Sequence, residues 1–128
     1  MIWLAAAIAL LGVAGWAGTR LRIAVVTGPS MAPTFRDHDR VLVRRTRASA
    51  LRRGDVALVA MSTGPQTSWI LKRVAALPGD AVPAGLAGPR VPPGMLVLLG
   101  DNPPESIDSR DFGYVPASQL FGVAIRKL

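Results

Sequence analysis

The stretch Trp69-Ile70-Leu71-Lys72-Arg73-Val74-Ala75-Ala76 is an apolar run with a lysine inside it. Branched and aromatic side chains favour β-strands, and the following Leu77-Pro78-Gly79-Asp80 is typical of a turn. A buried ammonium group is unfavourable unless its pKa falls far enough for the amine to lose its charge. The stretch therefore predicts a strand that carries a partly desolvated amine.

The remaining sequence consists of short apolar segments separated by glycine, proline and aspartate, without an amphipathic segment of helical period. Segments such as Val41-Leu42-Val43 do not alternate, so we expect both of their faces to be covered. We predict a single mainly β domain over residues 20–128, folded over on itself as a sheet or small barrel. The predicted strands are Leu21–Thr27, Arg40–Arg45, Asp55–Met61, Ser68–Ala76, Met95–Leu99 and Gln119–Arg126, and Ala81–Pro93 is predicted to be a loop.

The N-terminal segment is the most apolar part of the chain. No charged side chain occurs from Met1 to Gly18, and a helix of this length would measure about 27 Å against a bilayer core of about 30 Å. Trp3 and Trp16 lie near its ends, where interfacial aromatic residues belong. A cleavable signal peptide would begin with basic residues, and a buried core helix would be amphipathic. The segment 1–19 is therefore predicted to be one transmembrane anchor.

Composition excludes several kinds of chemistry. The chain has no cysteine, which removes thiol nucleophiles, thiolate metal sites and disulfides together. The single histidine, His38, lies in a polar stretch that is typical of a solvated turn. The net charge is +7, but the arginines are scattered and are not interleaved with aromatic residues that would stack on bases. We therefore expect no nucleic-acid partner, while a basic surface beside a membrane anchor would be attracted to lipid headgroups.

A serine lies in the constrained segment Gly28-Pro29-Ser30-Met31-Ala32-Pro33-Thr34. The two prolines restrict the backbone on both sides of Ser30 and would hold its hydroxyl in place. A serine hydroxyl needs a base to become a good nucleophile, and a desolvated lysine with a pKa of about 7 to 8 can supply one. Lys72, one of only two lysines, is the candidate base. The pair predicts a serine hydrolase whose base is an amine.

Four blocks, in order, resemble the type I signal peptidase family of Ser/Lys leader peptidases. They span residues 28–113 and include Arg53-Gly54-Asp55-Val56, Lys72-Arg73-Val74 with Leu77-Pro78-Gly79-Asp80, and Gly100-Asp101-Asn102 followed by Ser106, Asp108-Ser109-Arg110 and Phe112-Gly113; the segment 28–34 is the first block. A single Pro-Gly-Asp would be an ordinary turn, whereas four blocks in the family's order are specific. Only 19 residues separate Asp80 from Gly100, so the chain is close to a minimal catalytic core.

The resemblance implies an antiparallel sheet of the signal peptidase type and a role for several residues. It implies that Ser106 hydrogen-bonds the Lys72 amine and that Asp108 and Arg110 form a bracing ion pair. It also places Gly28, Met31 and Ile70 at the oxyanion site and substrate cleft. Family members often carry a hydroxyl at the position of Gly28, which leaves a backbone group, a water or Thr27 as the second oxyanion donor. No metal or cofactor is implied.

The predicted function is the removal of leader or signal peptides after small residues, with leader-bearing precursors and the lipid membrane as partners. The resemblance favours a single-pass protein of the cell membrane with its catalytic domain on the outer face, although Arg20 and Arg22 argue for the cytoplasmic side. One alternative is a maturation protease dedicated to one client, such as a nickel superoxide dismutase precursor. A self-cleaving repressor-type protease and a non-enzymatic, membrane-tethered basic module are further alternatives, although the first would normally carry a DNA-binding headpiece.

Overall fold

A computed structural model describes residues 20–63 and 65–128, and within them the chain forms one seven-stranded sheet. The strand order is β1-β2-β7-β3-β4-β5-β6, and every neighbouring pair is antiparallel. The C-terminal strand thus lies in the middle of the sheet. The strands are β1 Leu21–Val25, β2 Arg40–Arg45, β3 Val56–Thr63, β4 Gln66–Ala76, β5 Met95–Leu99, β6 Val115–Pro116 and β7 Leu120–Lys127; the helix α1 is Ser109–Phe112.

The prediction of a mainly β fold is confirmed. The predicted bounds of β2 and β5 match the structure, and the other four predicted strands differ by one or two residues at their ends. No local pattern in the sequence indicates β6, because this strand has only two residues and one of them is Pro116. Within the predicted loop 81–93, a single bridge pairs Ala81 with Arg90.

The sheet is covered on both faces because it folds over on itself. Along β3, Ala57 and Val59 belong to one buried cluster with residues of β4 and β5, whereas Val56 and Leu58 belong to a second cluster. Successive side chains of a strand point to opposite faces, so β3 contributes to both cores. This explains why the apolar segments do not alternate. The second cluster also contains Met31, Phe35, Val41 and Val43, and it supports the loop that carries Ser30.

The predicted transmembrane anchor, residues 1–19, lies outside the described residues. Within residues 20–63 and 65–128, no helix combines the length and the apolar character that a membrane crossing requires.

Candidate active site

Ser30 and Lys72 meet at the junction of two elements. Ser30 lies in the loop that leaves β1, and Lys72 lies near the end of β4, 42 positions further along the chain. The distance between Lys72 Nζ and Ser30 Oγ is 2.6 Å, which is a hydrogen bond. The geometry therefore allows direct proton transfer between the hydroxyl and the amine.

Lys72 is one of the few charged side chains in the interior, with 6% of its surface exposed. It stands opposite Ala57 of β3, and neither this neighbour nor Leu71 beside it can solvate an ammonium ion. Burial lowers the pKa of the Lys72 amine, while the negative charge of Asp108 acts in the opposite direction. The net effect favours the neutral amine, which is the form that accepts a proton.

The loop that carries Ser30 is held at several points. The Asn102 backbone N–H donates to the Ser30 carbonyl at 2.9 Å, and the Asn102 side chain donates to the Pro29 carbonyl at 3.1 Å. The Gly28 N–H donates to Asp37 Oδ1 at 2.8 Å, and Gly28 has a positive φ of 86° that glycine adopts without strain. These contacts restrain the backbone on both sides of the Ser30 hydroxyl, in addition to the restriction expected from the two prolines.

An ion pair between Arg73 of β4 and Asp101 also holds the loop that carries Ser30. Arg73 donates from Nε and Nη2 to the Asp101 carboxylate at 2.8 and 2.7 Å, and Thr34 donates to the same carboxylate at 2.6 Å. Arg73 also donates to the Gly54 carbonyl at 2.6 Å. The hydrogen bond from Arg73 lowers the pKa of Asp101, and burial opposes this effect. Sequence reasoning assigned no role to Arg73, Asp101 or Thr34, although a charge next to Lys72 in an apolar strand was a signal for a partner.

Asp108 is fully buried, and its carboxylate accepts five hydrogen bonds. Its carboxylate accepts from the Gly100 N–H at 2.9 Å, from Ser106 Oγ at 2.8 Å, and from the Arg110 backbone and guanidinium. Burial alone would raise the pKa of Asp108, but the hydrogen bonds from Arg110, Gly100 and Ser106 outweigh it and hold the pKa well below the ordinary value. The structure thus places Asp108 and Arg110 together, at 2.6 Å between Nη2 and Oδ2.

Ser106 lies beside this carboxylate. Its hydroxyl donates to Asp108, and within the described residues no hydrogen bond joins it to the Lys72 amine. A carboxylate is a stronger acceptor than an amine that is already paired with Ser30, which accounts for this orientation. Gly100 packs closely here, since a Cβ at this position would lie 2.7 Å from the Ser30 carbonyl oxygen and would overlap Ser106 Oγ.

A groove of about 750 Å³ extends from the Ser30 and Lys72 pair between β1 and β4. Met31 and Ile70 line it, together with Thr27, whereas Gly28 is not among its lining residues. Within the described residues β1 pairs only with β2, and β4 pairs with β5 only from Arg73 onward. Both strands therefore present unpaired backbone groups at the groove. Such edges accept an extended peptide as an added strand.

The described residues contain no group of three or more histidine, cysteine, aspartate and glutamate side chains that could hold a metal ion. His38 is exposed and lies 3.0 Å from Asp37, in a turn. The hydroxyl of Ser30 and the amine of Lys72 are the hydrogen-bonded pair at this groove.

Comparison with known proteins identifies the family. The sequence model of the family described as signal peptidase, peptidase S26, matches residues 1–87 and 83–127. The chain belongs to this family. The match includes all four blocks that carried the resemblance, and the signal peptidase family accounts for nearly the full length of the chain.

Relatives within the signal peptidase family come from eukaryotes and bacteria. The mitochondrial inner membrane protease subunit 1 of Xenopus tropicalis is 36% identical over 108 residues, covering 78% of this chain and 64% of that protein. The protein of the same name from Schizosaccharomyces pombe is 31% identical, covering 84% and 73%. The probable signal peptidase I-2 of Synechocystis is 28% identical, covering 77% and 59%. The chain thus spans slightly less than two thirds of the Xenopus relative.

Proposed function

We propose that this chain is a membrane-anchored serine endopeptidase that removes leader or signal peptides from precursor proteins. The observation that carries the proposal is the 2.6 Å contact between Lys72 Nζ and Ser30 Oγ at the end of a groove with two free strand edges. Membership of the signal peptidase family and the names of the relatives, which place those proteins at membranes, support it.

Ser30 acts as the nucleophile and Lys72 as the general base. The neutral amine of Lys72 takes the hydroxyl proton while Ser30 Oγ attacks the carbonyl carbon after a small residue. The resulting tetrahedral species loses the leaving amine, which takes the proton back from Lys72, and an ester of Ser30 remains. Lys72 then takes a proton from water while the water oxygen attacks the ester carbonyl. The bond from that carbonyl to Ser30 Oγ breaks, Ser30 Oγ takes the proton back from Lys72, and the leader is released with a C-terminal carboxylic acid. No metal or cofactor takes part in these steps.

The oxyanion accepts a hydrogen bond from the Ser30 N–H, in keeping with the family pattern. The Gly28 N–H is committed to Asp37, so the second donor is the Thr27 hydroxyl at the groove or a water. Asp108, Arg110 and Ser106 act as positioning residues: they hold the segment from Gly100 to Ser106 against the Ser30 backbone. Met31 and Ile70 form the apolar wall that receives the substrate.

An ester assay tests the dyad without knowledge of the client. The full chain in neutral detergent is given the p-nitrophenyl ester of N-acetyl-alanine, and the rate of p-nitrophenol release is measured from pH 6 to 10. We expect Ser30→Ala and Lys72→Met each to lose at least about 100-fold of the rate, since a general base contributes roughly that much. The wild-type rate should rise with pH through the lowered pKa of Lys72. Exposed-site variants Ser118→Ala and Lys127→Met serve as controls. Full activity in either dyad variant would contradict the assignment.

Clients are identified by mass spectrometry of protein N-termini in cells that carry either the wild type or Ser30→Ala. We expect new N-termini, each preceded by a small residue, only with the wild type. Many such termini would indicate general leader removal, and a single one would indicate a dedicated maturation protease. A non-enzymatic basic module would produce none and would refute the proposal. Protease protection of residues 20–128 in sealed vesicles tests the proposed outer location against the cytoplasmic side that Arg20 and Arg22 favour.

A further inference from the structure

The groove ends, away from Ser30 and Lys72, in a cluster of two arginines and two aromatic rings. The guanidinium carbons of Arg22 and Arg45 lie 5.5 and 5.4 Å from the centre of the Phe121 ring. Trp69 packs edge-to-face against the same ring at 6.1 Å and is 40% exposed. All four residues line the groove. The cluster therefore forms an accessible end wall of the groove, in which two positively charged guanidinium groups lie over an aromatic ring.

These two arginines have no acidic partner within the described residues. The ion pairs found there involve other cations, namely His38, Arg53, Arg73, Arg110 and Lys127. Residues 1–19 contain no aspartate or glutamate that could serve instead. Stacking on one aromatic ring compensates a guanidinium only in part and leaves its N–H donors free. The end wall is consequently complementary to an anion.

The backbone holds this arrangement in place. Arg45 lies opposite Gly122 in the pairing of β2 with β7, and the Thr46 N–H donates to the Phe121 carbonyl at 3.2 Å. A Cβ at Gly122 would overlap the Arg44 carbonyl oxygen, so only glycine allows this close approach of the two strands. Arg22 reaches the ring from β1, the opposite wall of the groove. Two separate elements thus aim their charges at one point.

The distance from the dyad to this cluster sets a register. Trp69 lies three positions before Lys72 on β4, which corresponds to about 10 Å along a strand. A peptide that lies extended in the groove advances at the same rate. Its side chain at the cluster would therefore belong to a residue about three to five positions from the scissile bond.

We propose that Arg22 and Arg45 form a subsite that selects precursors with an aspartate or glutamate three to five residues from the cleaved bond, on one side of it. This inference rests on the proposed function and adds the chemical class of substrate that the groove prefers. The free edges of β1 and β4 favour a peptide over a lipid headgroup as the occupant, because a headgroup would leave those backbone groups unpaired.

Binding to an inactive protein tests the subsite. Fluorescent peptides of 12 residues with alanine at positions −1 and −3 carry a single aspartate, walked from −6 to +6, or asparagine at the same place. Their affinity for full-length Ser30→Ala in neutral detergent is measured by anisotropy, in that background alone and with Arg22→Gln, Arg45→Gln or both. Arg44→Gln is the matched control, because it removes the same charge from β2 at a position that does not line the groove.

We expect aspartate to bind more tightly than asparagine within one window three to five residues from the scissile position. Each glutamine substitution should reduce that preference by up to about fivefold, which is the upper range for a partly exposed ion pair. The double variant should abolish it, Arg44→Gln should keep it, and high salt should weaken it. The affinity of the asparagine peptides should remain the same in all variants.

Three results would overturn the inference: no peptide binds, aspartate has no advantage at any position, or its advantage survives the double substitution. Inorganic phosphate that binds through Arg22 and Arg45, without any preference for aspartate peptides, would also overturn it and would indicate a lipid headgroup site. A different result would contradict the proposed function, namely the absence of Ser30-dependent ester hydrolysis in the wild type. The peptide-binding assay therefore tests the anion subsite, and the ester assay tests the proposed hydrolysis independently of it.

Discussion

At the scale of single residues, burial of the Lys72 amine is unfavourable for stability, yet it provides the base that the proposed chemistry needs. Lys72 lies almost entirely in the interior, and burial lowers its pKa. The folded protein therefore binds this proton less tightly than the unfolded chain does, in which a lysine titrates near 10.4. Stability should rise with pH from the folded pKa toward that value, and the penalty should persist fully below the folded pKa.

The first prediction follows from this penalty. Lys72→Met fills a similar space without a charge, so we expect it to be more stable than the wild type at pH 7 although it is inactive. Its advantage should shrink as the pH approaches about 10.4, where the unfolded lysine also becomes neutral. Urea unfolding at both pH values measures this. The chain offers one matched control, Lys127→Met, which removes an exposed lysine and should bring no such gain. A destabilised Lys72→Met protein at pH 7 would contradict the account.

The second prediction concerns the carboxylate of Asp108. Asp108→Asn removes a charge that accepts five hydrogen bonds, and we expect a loss of about 2 to 3 kcal/mol in stability at pH 7, typical of hydrogen bonds to a charged group. Because the folded pKa is lowered, this contribution is fully present above the unfolded pKa of about 3.9 and is lost as the pH falls through the folded pKa. The difference between the two proteins in urea unfolding should therefore narrow below about pH 4.

Asp111→Asn is the control for this measurement. Asp111 is exposed and, among the residues that the structure describes, accepts only from the Asp108 N–H, as part of the cap of α1. We expect it to cost about 1 kcal/mol or less, the usual value for a cap. An equal loss in the two variants would show that the cap, rather than the buried carboxylate, supplies the stability.

At the scale of elements, the segment after β5 holds the nucleophile loop at the required distance from β4. Gly100 donates to Asp108, Asp101 pairs with Arg73, and Asn102 donates to the Ser30 and Pro29 carbonyls. Three consecutive residues thus connect the loop, β4 and the buried carboxylate. The position of Ser30 Oγ relative to Lys72 Nζ depends on this segment.

The third prediction tests that dependence. In Gly100→Ala the new Cβ would meet Ser106 and the Ser30 carbonyl oxygen, and a backbone atom cannot move aside easily. We expect a loss of about 1 to 3 kcal/mol in stability, typical of overpacking. The ester hydrolysis rate should fall about 10- to 100-fold, because a displacement on the order of 1 Å has that effect on a reacting pair.

Two further variants distinguish the steric contact of the new Cβ at position 100 with the Ser30 loop from a general loss of stability. Gly94→Ala meets no atom within 4 Å but carries the strain of a φ of 74°, so it should lower stability and leave the rate unchanged. Gly100→Ala with Ser106→Gly removes the side-chain overlap and keeps the contact with Ser30, so it should restore stability more than rate. A normal rate in Gly100→Ala would show that this segment does not position the nucleophile.

At the scale of the whole molecule, the sequence predicts the individual strands better than it predicts their order in the sheet. Valine, isoleucine and leucine between turn residues located six of the seven strands, because the signal is local. No local signal places the C-terminal strand β7 between β2 and β3, since that pairing depends on which buried faces match at long range. The same limit applies to the site. Ser30 and Lys72 stood out by residue type and resemblance, whereas the ion pair of Arg73 and Asp101 joins residues 28 positions apart.

The last prediction concerns the groove as a product of this arrangement, since folding over brings the free edges of β1 and β4 face to face. A peptide that binds as an added strand should protect backbone amides on both edges from exchange with solvent. We expect slower hydrogen exchange in residues 22–26 and 68–71 when Ser30→Ala binds a leader peptide. Strand β5 is the internal control, because it does not line the groove and the exchange of its amides should not change. Protection on only one of the two edges would mean that the peptide lies against a single wall and does not bridge the fold.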